Sequence, residues 1–269
     1  LGVVICWLVL DNMCRWPLLM CVLSGMSFAN PAEKMTYTIG TQSISYKPHY
    51  DFSSPEIDSF AEEILQLFAD EQNIQFIFVP LPIKRLNIAN NVDFIYPDNP
   101  RWRDAQNHQS QLSFSKPLIH ILGCTMVLAR RQHMQLNELK TVAVPRGFTP
   151  DHLLKAQAES YFELVETSNA ESALKMVLKG RVDAADVEMN VANFVLRQLN
   201  QPNALVPGTE LPASRVGFHL SSARHAELLL AFNRFLKNNH AQIEDFKLKY
   251  QLKETLTGPV CGLPVNVDR

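Results

Sequence analysis

Between Thr167 and Glu188 the chain reads TSNAESALKMVLKGRVDAADVE, and its apolar residues fall first at helical and then at strand spacing. Ala170, Leu174, Val177 and Leu178 share one helical face, because residues three and four apart are neighbours on a helix. Ser168 stands before them as an N-cap, with Glu171 three residues later as in a capping box, and Gly180 supplies the left-handed stop. The pattern predicts a helix ending at Lys179. It then predicts a buried strand over Val182–Val187, with Glu188 at its carboxyl end, where open α/β sheets place their ligands.

The rest of the chain alternates in the same way. Thr36–Gly40 reads as a strand, and Ser54-Pro55-Glu56 reads as the opening of a helix with Ile57, Phe60, Ala61, Ile64, Leu65 and Phe68 on its apolar face. Ile74–Val79 is a continuous apolar strand, a short helix covers Ile83–Asn90, and Val92–Tyr96 is the next strand. This is βαβαβ, the order of a parallel sheet wrapped by helices. Ile119–Ala129 is too long for a routine strand and suggests a crossing between two lobes. A second series follows: strands at Thr141–Val144, Phe162–Val165, Val182–Val187 and Ala204–Val206, with helices from Pro150, from Ser168 and over Val191–Leu199. Val216–Leu220 reads as a return crossing, and Ser222 opens a helix carrying Ala226, Leu229, Leu230 and Phe235. The fold class is therefore α/β, with two lobes, each a mostly parallel sheet flanked by helices, joined by two hinge crossings. The expected division is residues 30–122 with 215–269 in lobe 1, and 123–214 in lobe 2. No repeat or low-complexity linker interrupts it.

Composition narrows the function. With 25 Lys and Arg against 27 Asp and Glu the charge is −2, and the basic residues are dispersed, so no nucleic-acid-binding patch is expected. At 269 residues the chain buries about 70% of its unfolded surface, enough for real cores. Residues 13–29 carry one Arg, a short apolar run, and Ser27 and Ala29 before Asn30, the composition of a secretory signal peptide. Residues 1–12 read as an upstream extension of it. A membrane anchor across both pieces is the alternative, although Asp11, Asn12 and Arg15 interrupt the ~20-residue apolar run that a span needs. A lipoprotein signal at Cys21 is disfavoured by the bulky Met20 before it. Cleavage leaves Cys124 and Cys261 in an oxidising compartment, either as a disulfide or as two buried thiols.

Several short stretches resemble bacterial extracellular solute-binding proteins of family 3, the periplasmic amino-acid-binding type. Lys179-Gly-Arg-Val-Asp-Ala184, with its following strand and acid, is similar to their second lobe. Ser45-Tyr46-Lys47-Pro48-His49-Tyr50 resembles the aromatic loop after their first strand, and Val92-Asp93-Phe94-Ile95 resembles the strand before the ligand loop. Phe114-Ser115-Lys116-Pro117 is similar to the entry of the hinge. Asn137–Lys140, Val142–Val144 and Gly147 resemble the start of the second lobe. The likeness spans about residues 35–250, and the order of the motifs carries it. It implies a periplasmic, two-lobed, type II binding-protein fold that closes on a small ligand by hinge motion. It further implies an Arg for an α-carboxylate, matched by Arg103, and an acid for an α-ammonium, matched by Glu188. The chain departs from the family pattern in a longer gap before Phe114, in Glu188 where an Asp is usual, and in Ile57–Phe60 where the family has other residues.

The same cleft can be argued from its chemistry. Pro145–Pro150 joins a strand to a helix with Thr149 as N-cap, and free N–H groups there suit a carboxylate or phosphate. Arg146 or Arg103 adds a bidentate fork. Glu188 takes a cationic amine, and Tyr46, Tyr50, Tyr96 and Trp102 pack against an apolar side chain or the cation itself. His49 is the one histidine placed in this group, whereas His120 reads as a core residue. Gly-x-Ser-x-Gly, His-Glu-x-x-His, phosphate-loop and Cys-x-x-Cys signatures are lacking, so standard hydrolase, zinc, nucleotide and redox chemistry have no support. No metal or cofactor is expected. The reading is a monomeric binding protein for an amino acid or related zwitterion or carboxylate, serving an ABC permease or a membrane sensor. A periplasmic enzyme on the same scaffold, dehydratase-like or associated with a lytic transglycosylase and using Glu188 as acid or base, stays open beside it.

Overall fold

The strand Ala213–Ser222 takes part in two sheets. Its residues 213–218 pair antiparallel with residues 119–124, whereas His219–Ser222 pair with Asp98, Ile95, Phe114 and Ser113 of a different sheet. A computed structural model of the chain describes residues 34–86, 88, 91–104, 112–157, 162–254 and 261, leaving out the side chains of Arg103, Asp104, Asp151 and Lys155. The expected leader, residues 1–29, lies outside the described residues.

The first series contains β1 (Met35–Gln42), α1 (Phe60–Glu71), β2 (Ile74–Leu81), α2 (Ile83–Leu86), β3 (Phe94–Asp98), α3 (Pro100–Asp104) and β4 (Ser113–Phe114). The second contains β5 (Ile119–Leu128), β6 (Thr141–Pro145), α4 (Asp151–Gln157), β7 (Glu163–Thr167), α5 (Ala170–Leu178), β8 (Ala184–Glu188), α6 (Met189–Gln198) and β9 (Leu205–Pro207). The double-sheet strand is β10 (Ala213–Ser222), and α7 (Ala226–Asn238) and α8 (His240–Lys249) follow. β1 pairs parallel with β2 and β3. β6 pairs parallel with β7 and β8, and β5 lies antiparallel between β8 and β10. Mostly parallel sheets flanked by helices are thus joined through β10 and through the short passage from β4 to β5. Ile119–Leu128, read from its length as a crossing segment, is a single strand of the second sheet, because β8, β9 and β10 all satisfy its ladder.

Local chemistry explains where the elements begin. The first helix starts at Phe60 and not at Pro55, since the amides of Phe60 and Ala61 donate to the carbonyls of Pro48 and His49. Ile57 is consequently exposed, while Phe60, Ala61, Ile64, Leu65 and Phe68 are buried as the spacing predicts. Each of the four large side chains contributes about 1.5–3 kcal/mol by leaving water. The cap of α5 is Asn169, whose side chain accepts from the Ser172 amide at 2.8 Å, one residue later than expected. Gly180 ends that unit at φ +63°, the left-handed stop. In α7, Leu229 and Phe235 are buried but Leu230 faces solvent.

The chain after α7 was not legible as structure. α8 is mostly polar and buries Ile243 alone, so it carries no apolar stripe. It is held to α1 by Lys249, which pairs with Glu63 at 2.5 Å. Beyond it the Lys253 amide donates to Asn190 at 2.9 Å and the Asn190 amide donates back to the Lys253 carbonyl at 3.0 Å. Cys261 then forms a disulfide with Cys124 of β5, with Cα atoms 5.8 Å apart across 137 residues of sequence. Lys253 is thus tied to α6 and Cys261 to β5. Among the described residues no helix is long and apolar enough to cross a membrane.

Candidate functional site

The turn after β1 brings four aromatic or imidazole rings to one place. Tyr46 pairs with Tyr50 in an isolated bridge, and the rings of Tyr46, Tyr50 and Phe52 lie against one another. This loop meets the second sheet at two points. The Tyr46 ring stacks on Phe148, from the loop before α4, with centroids 5.2 Å apart. His49 Nε2 lies 2.9 Å from Glu188 Oε2, at the carboxyl end of β8, and both side chains are 1% exposed.

Glu188 holds its place because it also caps a helix. Its Oε2 accepts from the Val191 amide at 2.9 Å and its Oε1 from the Asn190 side chain at 2.8 Å. Alternation along β8 puts Asp186 on the same face as Glu188. Asp186 Oδ1 lies 3.3 Å from Nε2 of His152, a buried residue of α4. Two carboxylates thus stand side by side, each beside a buried imidazole. Tyr46 is close to both: burial above all, then the charges of Glu188 and Asp186, push its phenol well above the ordinary value. Burial likewise raises Tyr50, with Tyr46 and Tyr96 adding to it, and raises Tyr96. All three phenols stay protonated at neutral pH.

Phe218 of β10 lies at the centre of the group. Its ring touches those of His49 (5.8 Å), Tyr50 (6.0 Å), Tyr96 (6.5 Å) and Trp102 (6.1 Å). Asn99 anchors the segment carrying Trp102, its side chain donating to the Gly217 carbonyl at 2.8 Å and accepting from the Arg101 amide. Tyr50 Oη donates to Gln42 at 2.6 Å, whereas Tyr96 Oη, Thr41 Oγ1 and His49 Nδ1 are buried with no hydrogen-bond partner among the described residues.

Tyr46, Tyr50, Tyr96, Trp102 and Glu188 therefore come together, with His49 among them. Arg146 and Thr149 do not join them: Arg146 is exposed and lies 3.4 Å from Glu166, and Thr149 is also exposed. Their loop reaches the group through Phe148. Gly147 beside it adopts φ +90°, and a Cβ there would meet Ile83 of α2 at 3.2 Å. The side chain of Arg103 lies outside the described residues. Phe148, Phe218, Asn190 and the His152–Asp186 pair were not singled out from sequence. Phe148 alone had a signal, as the aromatic in a strand-to-helix loop; the rest depend on contacts far apart in sequence. Among the described residues no cluster of three His, Cys, Asp or Glu is arranged to hold a metal ion.

No protein-family model and no curated protein matches the sequence. Solved structures match the fold. The chain is similar to an ABC uptake transporter substrate-binding protein from Streptococcus pneumoniae with bound histidine, at 14% identity and TM-score 0.65, covering 83% of this chain and 95% of that one. It is similar to the GluR0 ligand-binding core in complex with L-glutamate, at 15% identity and TM-score 0.63, over 81% and 99%. It is also similar to a histidine kinase sensor domain resembling periplasmic binding proteins, at 18% identity and TM-score 0.62, over 81% and 96%. At such identities the shared property is the two-lobed fold.

Proposed function

We propose that this chain, with its two-lobed periplasmic-binding-protein fold, is a solute-binding protein of the periplasm that captures a small polar ligand between its lobes. The ligand class is an amino acid, a related zwitterion or a small carboxylate, delivered to an ABC permease or reported to a membrane sensor. Lobe 1 is residues 30–122 with 215–269, and lobe 2 is residues 123–214. The observation that carries the reading is the junction at Glu188, where a buried carboxylate, an aromatic loop from the opposite sheet, and buried polar atoms without a hydrogen-bond partner among the described residues meet. The sequence features of a signal peptide and the disulfide between Cys124 and Cys261 support an exported protein. Titrating the mature protein with amino acids, polyamines and carboxylates, followed by thermal shift, tests it. Saturable one-to-one binding is the expected result.

A second reading, an enzyme on the same scaffold, is favoured by one observation. The imidazole of His49 against the carboxylate of Glu188 is a pairing that general acid–base chemistry uses. Conversion of a bound ligand by purified protein would select it over capture.

A further inference from the structure

Beside Glu188 the junction holds a second carboxylate, and this one is largely without partners. The Asp186 side chain is 12% exposed and accepts no hydrogen bond among the described residues; its ion-pair neighbour is His152 Nε2, 3.3 Å away. That nitrogen, on a buried side chain, likewise has no hydrogen-bond partner among the described residues. A glycine makes room beside the pair. Ser214, Gly123 and Glu188 are register partners across β10, β5 and β8, so they face the same side of the sheet, and alternation along β8 puts Asp186 there too. A Cβ on Gly123 would stand 2.7 Å from Ser214 Oγ and 3.7 Å from His152 Cε1. The bare backbone at Gly123 thus lets a hydroxyl and an imidazole approach the two carboxylates.

Both carboxylates have capacity left for a donor. A carboxylate offers about four lone-pair positions. On Glu188, Asn190, the Val191 amide and His49 take three, so a ligand donor can join without displacing His49. On Asp186 no position is used by a hydrogen bond among the described residues. Neither acid pairs with a Lys or Arg among the described residues. Residues two apart on a strand stand about 7 Å from each other. Like charges at that separation, out of bulk water, repel one another and attract a cation placed beside either. An ammonium carries donors only, which suits an open carboxylate and the Ser214 hydroxyl alike.

We propose that Asp186 forms a second cation subsite, so that the ligand carries two cationic groups about 7 Å apart, one at Glu188 and one at Asp186, as in a diamino acid or a diamine. The proposal rests on the reading of this junction as the ligand site and narrows its ligand class. The test is calorimetry on the mature protein with ornithine against norvaline, which lacks the distal amine, and with putrescine against butylamine. The compound with two cationic groups is expected to bind about tenfold tighter or more in at least one pair. Preference within the ornithine pair identifies a diamino acid, and preference confined to the putrescine pair identifies a diamine. Asp186→Asn, which keeps the shape and removes the charge, is expected to lower the ratio about tenfold, and Asp186→Ser to do the same by removing the carboxylate. Wild type that binds ornithine no tighter than norvaline and putrescine no tighter than butylamine overturns the proposal, and so does a ratio unmoved in either folded variant; the solute-binding reading then stands on any other ligand that binds. Folded wild type that binds no member of an extended set of carboxylates, amino acids and polyamines overturns both.

Discussion

Tyr46 and Phe148 stack with their ring planes 22° apart, and this contact joins the loop after β1 to the loop before α4. The two residues belong to segments that reach the site from different sheets. Aromatic pairs of this kind contribute about 0.5–1.5 kcal/mol beyond the area they bury. Phe148→Ala is therefore expected to lower stability by about 1 kcal/mol and ligand affinity by about tenfold. Denaturant titration and calorimetry measure the two effects separately; an unchanged affinity would show that the stack does not help form the site.

Gly147 carries the turn that delivers Phe148. Its φ of +90° disfavours any side chain, and a Cβ would press on Ile83 at 3.2 Å. Gly147→Ala should cost about 1–2 kcal/mol in chemical denaturation, with the greater part from backbone strain. A cost near zero would mean that the turn relaxes to negative φ.

The Cys124–Cys261 disulfide closes a loop of 137 residues. Replacing both cysteines by Ser is expected to lower stability by about 2–4 kcal/mol. The native, unreduced protein, after removal of residues 1–29, should titrate no free thiol under denaturing conditions. One or two reactive thiols would contradict the pairing.

Glu62 gives a pH dependence with a defined sign. Burial raises its pKa from the ordinary value of 4.5 to about 7, with the negative charges of Asp58 and Asp51 adding to the rise and a hydrogen bond from Ser59 opposing it. The folded state holds this proton more tightly than the unfolded chain. Stability is therefore fully present below pH 4.5 and declines as pH rises to about 7. Glu62→Gln should flatten that decline in urea titrations across the window, and an identical slope in variant and wild type would refute the assignment.

Glu254 behaves in the opposite sense. Burial alone would raise it, but hydrogen bonds from His120 and Lys247 outweigh burial and bring it down from 4.5 to about 2. Its contribution is present above pH 4.5 and is lost as pH falls toward 2. Glu254→Gln should lose less stability on acidification than wild type in the same titration. A steeper loss would contradict the ion pair with Lys247, which measures 2.5 Å.

Much of the fold was legible because periodicity, caps and glycines act locally. Leu174 and Val177 announce the buried face of α5, and Gly180 its end. The start of α1 was not legible, since Pro55 satisfies the local rule while the decisive hydrogen bonds come from Pro48 and His49. In the site, Glu188 could be placed from its position at a strand end. Its engagement with His49, 139 residues away, is a tertiary contact without local signature. Phe218 was hidden for the same reason, because its role depends on β10 changing sheets at the next residue.

The measurement that bears most directly on capture between two lobes uses Trp102, whose ring lies 6.1 Å from Phe218 among the rings of the junction. It is the only tryptophan after residue 29. The mature protein would be titrated with amino acids, polyamines and small carboxylates while tryptophan fluorescence and melting temperature are followed together. The account predicts a saturable fluorescence change and a raised melting temperature for the same compound, both lost in Glu188→Ala. A compound that raises the melting temperature without changing Trp102 emission, or with full effect in Glu188→Ala, would place binding elsewhere and contradict the account.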